Sequence, residues 1–405
     1  MLRQKRNFMS DDIKYIPYGK QEINDDDISA VIDVLTSDFL TQGPAVPKFE
    51  NAVTEYCQVK YGIAVNSATS ALHIACLALD VGQGDLVWTS ATTFVASSNC
   101  ALYCGAEVDF VDIDRDTFNI HVDKLEQKLT LAKEIGRLPK VLIVVHMCGQ
   151  PCDMEKIHNL STLYNFKIIE DAAHAIGSSY QDFKTGGCQF SDITTFSFHP
   201  VKIVTTAEGG MAVTNNKDLA NKMRLLRSHG ITRDESEMVK EPIGDWYYEQ
   251  IMLGFNYRMT ELQAALGLSQ MTRLDEFVAQ RNALAENYNN VLASLPIEIP
   301  SIASSRESSF HLYVIRLKLD EITHSHSDVF SKLRSEGIGV NLHYMPVYLQ
   351  PYYQKLAFSE GKFVEGYCIE AESYANDAIS IPLYPSMTAE EQIRIANELK
   401  GLLCP

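Results

Sequence analysis

Between Tyr61 and Thr214 short apolar runs alternate with longer stretches in which apolar residues recur at helical spacing. Short β-branched or aliphatic runs suit buried strands, and a period near 3.6 suits a helix with one buried face. The pattern predicts strands at Gly62–Asn66, Asp85–Thr89, Val108–Asp112, Val141–His146, Lys167–Glu170, Ile193–Phe198 and Gly210–Thr214. It predicts helices over Thr69–Leu79, Phe94–Tyr103, Val122–Glu134, Met154–Tyr164 and Asp218–Ser228. Strands that alternate with helices imply an α/β fold with a mainly parallel sheet, covered on both faces.

Past Ser228 the pattern changes. Ser228–Leu253 is polar, charged and aromatic, and reads as a long loop. Met259–Ser294 has few helix breakers and reads as one long connecting helix. Beyond Pro296 come a strand at His311–Leu319, a helix at Ser327–Glu336, strands at Val340–His343 and Ala378–Ile381, and a helix at Ala389–Leu403. That is the signature of a small α+β domain. The expected organisation is a leader over 1–15, a large domain over 16–258, a connecting helix over 259–295 and a small domain over 296–405.

The bulk numbers exclude several classes. With 405 residues and 46% hydrophobic content the chain can build a large core. A net charge of −17 argues against nonspecific binding to nucleic acid or to an anionic membrane. No run approaches the ~18 apolar residues that span a bilayer. The nine cysteines are an odd number, several of them in apolar runs such as Leu72–Leu79. They read as reduced thiols of a cytoplasmic protein. Cys100/Cys104 and Cys148/Cys152 share i, i+4 spacing, but the second pair brackets Gly149 and Pro151. Zinc sites usually show tighter pairs with histidine partners, so no metal site is expected.

Four segments carry candidate chemistry. The first is Ser197-Phe-His-Pro-Val-Lys202, followed by Thr205-Thr-Ala-Glu-Gly-Gly210. A lysine at a strand-to-loop junction among small and hydroxyl residues suits capture of an aldehyde cofactor, although most lysines simply lie on the surface. In Ile168-Ile-Glu-Asp-Ala-Ala-His-Ala-Ile-Gly177 an apolar strand ends in Asp171. Strand carboxyl ends face the ligand crevice in such sheets, and a carboxylate there can pair with a protonated pyridine nitrogen. It can equally be a helix cap. His174 either contacts the same ring or packs in the core. In Val65-Asn-Ser-Ala-Thr-Ser-Ala-Leu72 a strand turns into a helix whose Thr69 and Ser70 can cradle a phosphate or merely cap the helix. Phe94, in Thr92-Thr-Phe-Val-Ala96, can stack on a flat cofactor or fill the core.

These segments, with Gly254-Phe-Asn-Tyr-Arg-Met-Thr-Glu-Leu-Gln-Ala-Ala-Leu-Gly267, resemble the nucleotide-sugar aminotransferases, fold type I enzymes dependent on pyridoxal 5′-phosphate (PLP). The resemblance runs from about Ile16 to Leu402. It implies that Lys202 holds the cofactor covalently and moves the proton, and that Asp171 pairs with the ring nitrogen. It gives Ser197, Thr69 and Ser70 to the phosphate, stacks Phe94 on the ring, and brings Asn256 from a neighbouring subunit. A homodimer with shared sites follows. One branch of the family replaces the lysine with histidine and dehydrates its substrate, and Lys202 argues against that branch.

Ser37-Asp-Phe-Leu-Thr-Gln-Gly43 and Gly337-Ile-Gly-Val-Asn-Leu-His-Tyr-Met-Pro346 are similar to the branch that aminates C4 of a UDP-linked 4-keto-sugar. L-Glutamate is the donor expected in this family. In that branch the positions matching Tyr18, Asp38, Phe39, Leu40, Thr41, Ala68, Ser197, Asn256, His343 and Tyr344 contact the sugar nucleotide. A GDP-linked or 3-keto substrate is the alternative within the class. A non-catalytic PLP-binding regulator, which would usually carry a fused DNA-binding module, is the alternative outside it. The chain departs from the branch by its leader and by a longer Ser228–Leu253 loop.

Overall fold

The computed structural model describes residues 14–357 and 363–404. The expected leader therefore lies, up to residue 13, outside the described residues. Two helices open the described chain, α1 (Asp25–Leu35) and α2 (Ala45–Cys57). The alternation then runs β1 (Tyr61–Val65), α3 (Ala68–Ala78), β2 (Leu86–Ser90), α4 (Ala96–Tyr103), β3 (Glu107–Val111), α5 (Val122–Glu134), β4 (Val141–Val145), α6 (Met154–Tyr164) and β5 (Lys167–Asp171). The short β6 (Ser179–Tyr180) and β7 (Phe183–Lys184) precede β8 (Ile193–Ser197), β9 (Gly210–Thr214) and α7 (Lys217–Arg227).

Seven of these strands form the central sheet, in the order β1-β9-β8-β5-β4-β2-β3. Pairs from β3 across to β8 are parallel, while β9 runs antiparallel to both neighbours. Strand alternation divides the core between the two faces. In β4, Val141 and Ile143 pack with residues of α3 and α4. Leu142 and Val144 pack with Leu125, Leu129, Ile157 and Leu160 of α5 and α6. All five β4 residues are buried. Each buried aliphatic side chain contributes roughly 1.5–3 kcal/mol, so such a strand is held firmly and can aim a residue at its end.

Consecutive residues at the end of β5 face opposite ways. Glu170 points to a buried network in which it accepts from His146 Nε2 at 2.7 Å and from Thr194 Oγ1 at 3.0 Å. The Cys152 amide donates to His146 Nδ1, which leaves the ring proton on Nε2, facing Glu170. Asp171 is thereby turned to the other face. Its carbonyl accepts from the His146 amide at 3.1 Å.

Within the 228–253 loop a small hairpin forms from β10 (Ile231–Thr232) and β11 (Glu249–Gln250). The expected single helix over 259–294 is instead two, α8 (Glu261–Met271) and α9 (Leu274–Leu292). Tight bonds from the Thr272 and Arg273 amides to Ser269 and Gln270 close α8, and Arg273 leaves helical geometry at φ −112°, ψ 9°. Its guanidinium then reaches the buried Asp27 at 2.6 Å. No Gly or Pro marks this break, which is why periodicity missed it.

The C-terminal region adds β12 (Ile297–Glu298), β13 (Arg306–Glu307), β14 (Tyr313–Leu317), α10 (His326–Ser335), α11 (Pro351–Ala357), α12 (Ile369–Asp377), β15 (Ala378–Ile381) and α13 (Ala389–Leu403). The strands β12, β14 and β15 form an antiparallel sheet whose core is shared with α9, α10 and α13. The strand expected at Val340–His343 is only an isolated bridge between Asn341 and Ser380. Asn341 Oδ1 accepts from the Leu342 amide at 3.0 Å, taking a donor that a longer ladder would need.

Candidate active site

The carboxyl ends of the sheet strands meet the C-terminal region at one cavity of about 510 Å³. That is where ligands bind in open α/β sheets. Ser67 caps α3, and its Oγ accepts from the Ser70 amide at 3.1 Å. The Ser70 hydroxyl donates to Asn66 Oδ1 at 2.7 Å and is spent inside the cap. The Ala68 and Thr69 amides have no partner among the described residues. They and Ser67 border the cavity. Gly210 sits between Val65 and Ser197 in the sheet. A Cβ there would come within 2.5 Å of the Ser67 carbonyl, so glycine lets the helix end approach this closely.

Asp171, the last residue of β5, is buried and lines the cavity. Ser97 Oγ donates to its Oδ2 at 2.7 Å and the Ala173 amide to its Oδ1 at 3.1 Å. Lys202 lies in the turn after β8, where its own amide bonds His199 at 2.9 Å and the Thr206 amide returns to Phe198 at 2.9 Å. Its amine makes no hydrogen bond or ion pair among the described residues. Desolvation lowers its pKa to about 8, while the Asp171 charge opposes the shift. An ordinary lysine is almost wholly charged near neutral pH, whereas this amine keeps an uncharged share there that can attack an aldehyde.

Three imidazoles complete the polar lining. His174 and His311 lie with ring centroids 4.4 Å apart. Burial, and after it the nearby Lys202, depresses both well below the usual histidine range and keeps them neutral. His343 is lowered to about 3 for the same two reasons. It bonds Ser380 Oγ at 2.8 Å and Asn341 Nδ2 at 3.1 Å. The Tyr344 hydroxyl meets His174 Nε2 at 3.4 Å, while the buried Nδ1 of His174 has no partner among the described residues. Phe94 turns outward at 55% exposure, leaving its face open at the cavity, with Tyr344 5.9 Å away.

The cavity thus gathers Lys202, Asp171, His174, Thr69, Ala68, Phe94, Ser197, Tyr18, His343 and Tyr344 from the expected set. Ser70 is turned away, as described. Asp38, Phe39, Leu40 and Thr41 are exposed and do not border this chain's cavity. Asn256 is also exposed and outside it. Sequence reading missed Ser67, which its place before a helix could have indicated, and His311, whose position two residues before β14 carries no such signal.

A family description covers nearly the whole chain: residues 21–400 match the DegT/DnrJ/EryC1/StrS aminotransferase family. The chain belongs to this family. Among its relatives is the UDP-4-amino-4,6-dideoxy-N-acetyl-β-L-altrosamine transaminase of Campylobacter jejuni strain 81-176, 37% identical over 96% of this chain and 97% of its own length. Helicobacter pylori PseC, an aminotransferase of pseudaminic acid biosynthesis, superposes with a TM-score of 0.86 at 31% identity, covering 96% of this chain and 99% of its own. Spr1654 of Streptococcus pneumoniae, solved in a PLP form, gives a TM-score of 0.85 at 29% identity, with 96% and 98% covered.

The protein is accordingly a sugar aminotransferase of fold type I, and its cofactor is PLP. The cavity fits that group. It offers an unpaired amine for the aldehyde, a carboxylate for the ring nitrogen and an open aromatic face for the ring. Free helix amides and hydroxyls are available for the phosphate. No helix among the described residues is long and apolar enough to cross a membrane.

Proposed function

We propose that this enzyme transfers an amino group from L-glutamate to C4 of UDP-2-acetamido-2,6-dideoxy-β-L-arabino-hexos-4-ulose, a step toward pseudaminic acid. The observation that carries the reading is the unpaired Lys202 amine opposite Asp171, in a cavity whose owner is 37% identical to a transaminase named for the product of that step. PLP, when bound, supplies the electron sink that side chains lack. Lys202 anchors it and then carries the proton taken from the donor's α-carbon. Asp171 holds the ring nitrogen protonated. The helix amides of Ala68 and Thr69, with Ser197, hold the phosphate. Phe94 would cover one ring face, and His174 would offer the cofactor a neutral hydrogen-bonding group. Tyr18, His343 and Tyr344 form the sugar side of the cavity.

The test is turnover by purified enzyme of a panel of nucleotide-linked keto-sugars, with glutamate as donor and 2-oxoglutarate measured. The UDP-linked 4-keto-sugar should give the highest kcat/KM. A GDP-linked or 3-keto substrate preferred by about tenfold would overturn the assignment, since that ratio corresponds to a whole specific contact.

We further propose a homodimer in which Asn256 serves the partner's cavity. Asn256 faces outward from its own chain, and the preceding segment exposes Trp246 at 72% and Leu253 at 78%, as an unpaired interface would. Mixing an inactive Lys202→Ala chain with an impaired but dimeric Asn256→Ala chain should restore activity. In the mixed dimer one site inherits both lesions and the other neither. If subunit exchange is verified and no activity returns, the site is built within one chain.

A further inference from the structure

The loop that presents Phe94 also reaches behind Asp171. Thr93 and Ser97 flank the aromatic residue, both buried, and their hydroxyl oxygens are 2.7 Å apart. Ser97 Oγ lies 2.7 Å from Asp171 Oδ2 and 3.2 Å from the Phe94 carbonyl. A hydroxyl has one proton to give. The carboxylate is charged, closer and able only to accept, so it takes the Ser97 proton. Thr93 must then be the donor to Ser97. The chain of hydroxyls has one direction, from Thr93 through Ser97 to Asp171.

We infer that Ser97 is a positioning residue for Asp171, itself oriented by Thr93. The inference rests on the reading of Asp171 as the partner of the cofactor's ring nitrogen. The Ala173 amide fixes one carboxylate oxygen and Ser97 the other, so the carboxylate plane is set from two sides. Without Ser97 the carboxylate can rotate about its last bond, and Oδ2 loses its buried donor. The same turn also sets the backbone of Phe94, because the Ser97 amide donates to the Phe94 carbonyl at 3.2 Å. One short segment therefore registers two elements of the cavity, the aromatic face and the carboxylate, against each other.

The experiment is a double-mutant cycle on the holoenzyme with Ser97→Ala, Asp171→Asn and the pair. Ser97→Ala should lower kcat by about tenfold, the usual scale for losing a hydrogen bond to a charged group. The KM for the keto-sugar should move by less than about twofold, because Ser97 does not border the cavity. Loss of the visible cofactor band on dialysis should be several-fold faster than in the parent. In the Asp171→Asn background the added Ser97→Ala change should have little further effect on either readout. Unchanged kcat and band loss in Ser97→Ala would overturn the inference. So would an equal tenfold loss in both backgrounds, which would mean that Ser97 acts on the fold and not through Asp171. Near-normal turnover in Asp171→Asn alone would instead remove the reading of Asp171 on which the inference stands.

Discussion

Lys202→Ala should abolish turnover, to at least about 10³ below the parent rate. A positioned acid–base group alone is worth roughly 10²–10⁴ in rate, and Lys202 is also the attachment point. Both roles depend on an uncharged amine. Burial in the cavity lowers its pKa to about 8, so below that pH the amine is increasingly protonated and above it free. Capture of PLP by cofactor-stripped protein should therefore accelerate as pH rises through about 8, then level off. Borohydride should fix the cofactor permanently to one lysine, and peptide mapping should find it at Lys202. The variant should stay folded, because the Lys202 amine has no hydrogen-bond or ion-pair partner among the described residues. An adduct on another lysine, or substantial turnover by Lys202→Ala, would remove this residue from the chemistry.

How much of this was legible beforehand depended on the kind of signal. The expected boundaries of β9, α5, α6, β15 and α13 coincide with the observed ones. In these two strands every residue is buried, and the three helices carry a clear amphipathic period. Asp171 was visible because a charged residue ends an apolar strand, a place where burial is costly without a role. Thr69 and Ser70 illustrate the limit. Both are small hydroxyl residues at a helix start, and only the geometry shows that Asn66 takes the Ser70 hydroxyl while the neighbouring amides stay free.

Long-range pairings were invisible for the same reason. Ser97 is an ordinary serine within a helix until its contact with Asp171, 74 residues away, is known. His311 joins the cavity through the packing of the C-terminal region, which no local pattern encodes. The break between α8 and α9 follows from Arg273 reaching Asp27, again a tertiary preference overriding a helical sequence. Asn256 is the inverse case. The resemblance implies a role for it, yet its side chain lies outside the cavity of its own chain.

Asp171→Asn isolates the charge at the end of β5 while keeping the shape. The carboxylate accepts two hydrogen bonds, from Ser97 and the Ala173 amide. The amide of asparagine can keep the Ala173 bond through its oxygen, and the Ser97 hydroxyl can turn to accept from its nitrogen. No buried donor need be left unpaired, so the melting temperature should stay within a few degrees of the parent. Turnover should not survive as well. An opposite charge at contact distance raises the pKa of a cationic partner by roughly 1 to 3 units. Without it the ring nitrogen gives up its proton near neutral pH, and the ring no longer draws electrons from the reacting carbon. The expected loss in kcat is about 10² or more, with keto-sugar KM little changed because Asp171 faces the cofactor's end of the cavity. The pH dependence supplies an independent check. Acid restores the ring proton that Asp171 otherwise secures, but below about pH 8 it also protonates Lys202, so the activity retained by the variant should peak in a narrower pH range than the parent's. Near-parental kcat in a well-folded variant would mean that the ring nitrogen is held by another group, and Asp171 would then be only the cap of the turn that begins at Ala172.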